Sequence, residues 1–181
     1  TPIKTSNASS MFYGCTNISS IDISGFDFSN CTTLDQFVQN CTSLTSIDFT
    51  GHNLSNLISM NGAFAECSSL TEIIGFGEIY TPNLAEMKQA FKRCSALTSL
   101  DLSGWNITKV SSFLMVFNAC NLLKTLDISN FTFDQSTQVI GMFQKVGSNL
   151  PAGTYTTVYV KTDYELNGTT YSPQNFVLTS K

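Results

Sequence analysis

The chain has 181 residues, 42% of them hydrophobic, with 9 basic and 13 acidic side chains and a net charge of −4. That balance speaks against nucleic acid, because holding a polyanion takes a basic patch that displaces its counterions. No run of 18 apolar residues occurs, so no segment reads as a membrane-spanning helix; with only 12% of residues charged, Ser, Thr and Asn supply the polarity.

The chain opens at Thr1 without Met, which reads as a processed or trimmed product. From residue 12 onward a phrase repeats. Cysteine stands at 15, 41, 67, 94 and 120, in steps of 26, 26, 27 and 26. Three positions before each cysteine stands Phe12, Val38, Phe64, Phe91 or Phe117, and Phe143 continues that column. Three positions after stands Ile18, Leu44, Leu70, Leu97 or Leu123, and three further on Ile21, Ile47, Ile73, Leu100 or Leu126. A fixed period of this length means one unit stacked on copies of itself, since a single copy cannot bury its own apolar face. The first phrase starts so early that the chain begins half-way through a rung. The strand near Ile21–Ile23 is then an open edge unless sequence precedes it, and an open edge invites pairing with another chain.

Within a rung, Leu100 and Leu102 alternate with Ser99, Asp101 and Ser103, the period of a half-buried strand. Ile21-Asp22-Ile23, Ile47-Asp48-Phe49 and Leu126-Asp127-Ile128 repeat the pattern, and Gly25, Gly51 and Gly104 punctuate the turn that follows. Next comes three-to-four spacing, with Met60, Ala63, Phe64 and Cys67 in one copy and Met87, Ala90, Phe91 and Cys94 in another. This spacing predicts a short helix with one stripe packed inward. Pro82–Asn83 and Ser111–Ser112 stand where such helices start. Each rung therefore reads strand, turn, short helix, turn, and the stack reads as an α/β architecture with a parallel sheet on one side and helices on the other.

The third repeat carries one extra residue. Ile74 stands where its neighbours have Asp, and Gly75 where they have a buried apolar residue, with Gly75 and Gly77 flanking Phe76. Those glycines predict a bulge or an altered turn. After Phe143 the rhythm fails. Thr157–Val160 reads as a last strand, and Asn167-Gly168 between alternating runs reads as a hairpin. The expected division is a repeat array over residues 1–146 and a β-rich C-terminal cap over residues 147–181.

The phrases "MFYGCTNISSIDISGFDFSN" and "AFKRCSALTSLDLSGWNITKV" resemble the 26-residue leucine-rich repeats of BspA-like bacterial surface proteins, also common in mycoplasma lipoproteins; the resemblance covers about residues 8–146. It implies a right-handed leucine-rich-repeat solenoid, secreted or displayed on the bacterial surface, with adhesion or the binding of a host protein or glycan as its role. It carries over no catalytic residues.

Two columns form the candidate binding face. Asp22, Asp48, Asp101 and Asp127 share one strand column, followed by Ser24, Thr50, Ser103 and Ser129. Phe26, His52, Trp105 and Phe131 form the second, just past the turn. Carboxylates in a row are weighed as calcium ligands, but a flat sheet offers oxygens from one side only, and Ile74 splits the ladder; a solvated face is the plainer reading. The aromatic column is a packing position unless its rings reach the surface, where they would anchor a partner. The six cysteines read as buried reduced thiols rather than disulfides, because in-register Cβ atoms run parallel and five column members cannot all pair. Zinc is disfavoured by the lack of a CxxC motif and by a single histidine. No triad, phosphate loop or carboxylate pair in a cleft is discernible, so no enzyme, cofactor or metal is expected. The expected partner is an extracellular protein or carbohydrate, with edge-to-edge self-association at the first rung as a further contact. The alternative role is a rigid spacer with no ligand of its own.

Overall fold

The computed structural model describes residues 1–133, 136–160 and 176–180. Its strands are short and run parallel in three small sheets. β1 (Ile3–Lys4) pairs with β2 (Phe26–Asp27), and β3 (Ser46–Asp48) with β4 (Glu72–Ile74). β5 (Ser99–Asp101), β6 (Thr125–Asp127), β7 (Thr156–Val160) and β8 (Phe176–Ser180) form a four-stranded sheet in that order. The register follows the repeat, with Ile47 beside Ile73 and Leu100 beside Leu126. Val158 then lies beside Leu126, so the strand expected at 157–160 continues the same column. The hairpin expected around Asn167-Gly168 falls outside the described residues.

The expected helices do not form; the one helical element among the described residues is a 3-10 turn, Phe76–Glu78. The residues assigned to them are buried as expected: Met60, Ala63, Phe64 and Cys67 are enclosed, as are Met87, Ala90, Phe91 and Cys94. Their backbone, however, is a ribbon of turns. Alternate N–H groups reach sideways, from Leu34, Gln36, Val38 and Asn40 to the carbonyls of Ser59, Asn61, Ala63 and Ala65, each at 2.9 Å. The N–H groups between them close local turns, as from Phe37 to Leu34 and from Gln39 to Gln36. Left-handed residues recur at Gln36, Gly62, Gln89, Met115 and Gly141, and again at Asn40, Glu66, Arg93, Ala119 and Lys145, which interrupts any helix. The physical reason is spacing. Hydrogen-bonded strands sit about 4.8 Å apart, whereas packed helices need about 8–10 Å. A ribbon that bonds to its neighbour on both walls holds the narrower spacing throughout.

On the sheet wall, the residue just before each strand or at its start bonds the other way, while Phe49, Leu102 and Ile128 past the strand ends donate forward. The N–H groups of Thr45, Thr71, Thr98, Lys124 and Thr157 donate to Ser19, Thr45, Thr71, Thr98 and Lys124 respectively, and three threonine hydroxyls double the line. Between the walls lies one continuous apolar core. Its axis is a stack of nearly parallel rings, with Phe64–Phe91, Phe91–Phe117 and Phe117–Phe143 centroids 5.5, 5.7 and 5.9 Å apart.

The cysteine column has a structural use that its spacing alone does not reveal. Cys41, Cys67, Cys94 and Cys120 donate Sγ–H to the carbonyls of Phe12, Val38, Phe64 and Phe91 in the preceding rung, at 3.0–3.2 Å. All six thiols are free. Cysteine suits the place because it is small, apolar and a weak donor. Cys31, off the column, donates instead to the Thr33 carbonyl.

The extra residue of the third repeat is Gly75. Phe76 takes the inward place held by Phe49 and Leu102, and the N–H of Ile79 donates to Phe76 just as those of His52 and Trp105 donate to Phe49 and Leu102. Gly75 absorbs the insertion at φ +80°, where a Cβ would lie 2.6 Å from the Thr50 nitrogen. The 3-10 turn that follows presses on the next rung: a Cβ on Gly77 would lie 2.5 Å from an Asp101 carboxylate oxygen, and one on Gly104 would collide with the Gly77 carbonyl. β4 and β5 consequently form no ladder, and the sheet divides there. No helix among the described residues is long and apolar enough to cross a membrane.

Candidate functional site

The aspartate column serves the chain's own backbone first. Asp22, Asp48, Asp101 and Asp127 each accept the N–H two residues on, from Ser24, Thr50, Ser103 and Ser129, at 2.8–3.0 Å. These Asx turns shape the bend that follows each strand. Ile74 cannot accept such a bond, and the third rung turns instead through its 3-10 segment. Hydrogen bonding by the Ser24 hydroxyl and then its N–H holds the Asp22 carboxyl below the usual range, and Thr50 does the same for Asp48. Among the described residues, no three His, Cys, Asp or Glu side chains come together as metal ligands.

The aromatic column divides. Trp105 and Phe131 are enclosed, each about 1% exposed, and the Trp105 indole N–H donates to the Phe76 carbonyl at 2.9 Å. Neither ring can serve as a surface anchor. Phe76 packs on Trp105 at 5.1 Å, and Phe113 packs on Phe131 at 5.6 Å. Phe26 and His52 remain half-buried.

Six of the twelve candidates come together. Asp22, Ser24, Phe26, Asp48, Thr50 and His52 line an open groove of about 450 Å³ beside the first two turns. Phe26 stacks on buried Phe28 at 5.8 Å, and His52 meets the edge of Phe28 at 5.2 Å. Burial lowers the His52 pKa, against the opposing pull of Asp48 and Asp27. Asp101 and Asp127 line a second groove, of about 380 Å³, where the sheet divides; Glu72, Ile74 and Tyr159 complete it. Ser103, Ser129, Trp105 and Phe131 line neither of these two grooves.

Sequence reasoning missed Asp27 and Asn53 in the first groove and Tyr159 in the second. Asp27 and Asn53 were detectable as a second Asx column, since each accepts an N–H two residues on, from Ser29 and Ser55. Tyr159 is placed only by the register of β7 on β6. The buried thiols offer little chemistry, because burial pushes Cys67 and Cys120 up to about 12 and a thiolate is the reactive form.

No curated protein and no solved structure matches the chain. A family model does match, over residues 3–98 and again over 48–155, which together take in most of the repeat array. The chain therefore belongs to the family described as Mycoplasma protein of unknown function, DUF285.

Proposed function

We propose that this chain is a non-enzymatic repeat domain of a bacterial surface or secreted protein, of the BspA-like leucine-rich-repeat kind, that binds a host protein or glycan on its sheet side. The observation that carries the reading is the first groove, which brings a half-buried aromatic ring, hydroxyls and carboxylates together on that face. Grooves with an apolar floor and a few convergent polar groups are where ligands are held. The mycoplasma family and the 26-residue period support the surface assignment. The stacked rungs, each bonded to the next on two walls, support a leucine-rich-repeat solenoid in which turn ribbons replace helices.

A spacer role has one observation in its favour: Trp105 and Phe131 are enclosed, so the candidate aromatic column offers no anchor in the later rungs. The two readings separate on an array of glycans and extracellular-matrix proteins probed with the domain, using Phe26→Ala as the control. Binding that disappears in Phe26→Ala supports the adhesin reading. Uniform silence overturns it and leaves the spacer.

A further inference from the structure

The first groove differs from the rest of the surface in charge as well as shape. Its rim carries the carboxylates of Asp22, Asp27 and Asp48, and no Lys or Arg lines it. The cations lie elsewhere: Lys109 and Lys88 line shallow grooves away from the sheet face, and the one ion pair among the described residues joins Arg93 to Glu66. Lys4 acts on Asp27 through space without forming an ion pair. Each rim carboxylate accepts a neighbouring N–H and the hydroxyl of the same residue, from Ser24, Ser29 and Thr50 respectively. A carboxylate offers about four lone-pair sites, so acceptor capacity remains on all three. Between the carboxylates lies apolar surface, with the half-buried Phe26 ring backed by Phe28 and flanked by Ile21.

An apolar slot whose anionic rim has only Lys4 near it, beside Asp27, matches one kind of side chain, a methylene stem ending in a cation. The aromatic face adds cation–π attraction to the head group. A neutral sugar could donate its hydroxyls to these carboxylates but would bring no counter-charge to the three of them. We infer that the groove seats a lysine or arginine side chain from a basic peptide segment of a partner protein. The inference rests on the binding reading above and narrows its ligand class.

The test is fluorescence anisotropy with a labelled peptide of alternating Lys and Gly, at an ionic strength low enough to leave exposed charges unscreened, on the order of 20 mM. The double variant Asp22→Asn, Asp48→Asn keeps the oxygen that caps each Asx turn, and circular dichroism checks that it folds. It is expected to weaken binding roughly five- to ten-fold. Glu66→Gln, Glu86→Gln removes the same charge from the turn wall and is expected to change binding less than two-fold. Absence of binding, or equal weakening by both pairs, would overturn the proposal. So would sedimentation showing the groove covered by a second copy that the peptide does not displace. A neutral glycan captured on the array while the basic peptide is ignored would sink this inference and leave the binding reading intact; silence in both assays removes both.

Discussion

The first rung and the fourth carry the same phrase and fare differently. Phe91 lies at the centre of its stack, fully enclosed between Phe64 and Phe117, and Leu97 beside it is equally buried. Phe12, in the same column, meets Phe37 and Phe26 at its edge and stays half-buried, while Ile18 is 41% exposed where Leu44, Leu70 and Leu97 are shut. The residues are equivalent; the neighbours are not. Burial in this fold belongs to the junction between rungs and not to any rung alone, as expected when each unit contacts only those beside it.

The largest effect should come from removing a ring at such a junction. Phe91→Ala is expected to cost about 3–5 kcal/mol, and Phe12→Ala about 1–2 kcal/mol because part of its surface is already in water. Urea midpoints measure both, and equal losses would break the contrast. A smaller effect distinguishes the third rung from the regular ones. Gly25 and Gly104 occupy the same turn position, yet a Cβ on Gly25 meets nothing within 4 Å while one on Gly104 meets the 3-10 turn. Gly104→Ala should therefore cost about 1–3 kcal/mol through overpacking, and Gly25→Ala should be neutral or slightly stabilising. If the two behave alike, the third turn is not wedged against the fourth rung.

The smallest effect is a pH dependence in the second rung. Burial holds the His52 imidazole below its ordinary 6.5, and Asp48 and Asp27 pull it back only in part. As pH falls, the unfolded ring protonates first, so the unfolded state binds more protons and stability declines from about pH 6.5 down to the lower folded pKa. Comparing urea midpoints at pH 7.5 and 5.5 should show a drop in the wild type and none in His52→Phe. A histidine whose folded pKa were raised would reverse the sign.

What the sequence made legible was whatever recurs. The Phe, Leu and Cys columns predicted the core from the second rung onward, with Ile18 exposed and Phe12 and Cys15 half-buried in the first, and the alternation around Asp48 and Asp101 predicted the strands and their parallel register. The helices were misread because three-to-four spacing also describes a ribbon of turns. Met87, Ala90, Phe91 and Cys94 face inward in either conformation, and only the sideways bonds of Gln89, Phe91 and Arg93 tell them apart. Trp105 reads as a packing position, but what encloses it was not legible, because its partner Phe76 lies one rung away in the irregular repeat. The groove escaped for a related reason: it arises at the first two turns, where the repeat has the fewest neighbours to enclose it.

The sideways ladder along the turn wall has an evolutionary consequence. Every rung hands its successor the same row of donors that it receives at its own face, so any in-frame duplication or loss of one whole unit re-creates an identical seam. Reach can then lengthen or shorten by recombination of whole units, whereas the Gly75 insertion, matched by Gly104 in the next rung, marks a unit that cannot be shuffled so freely.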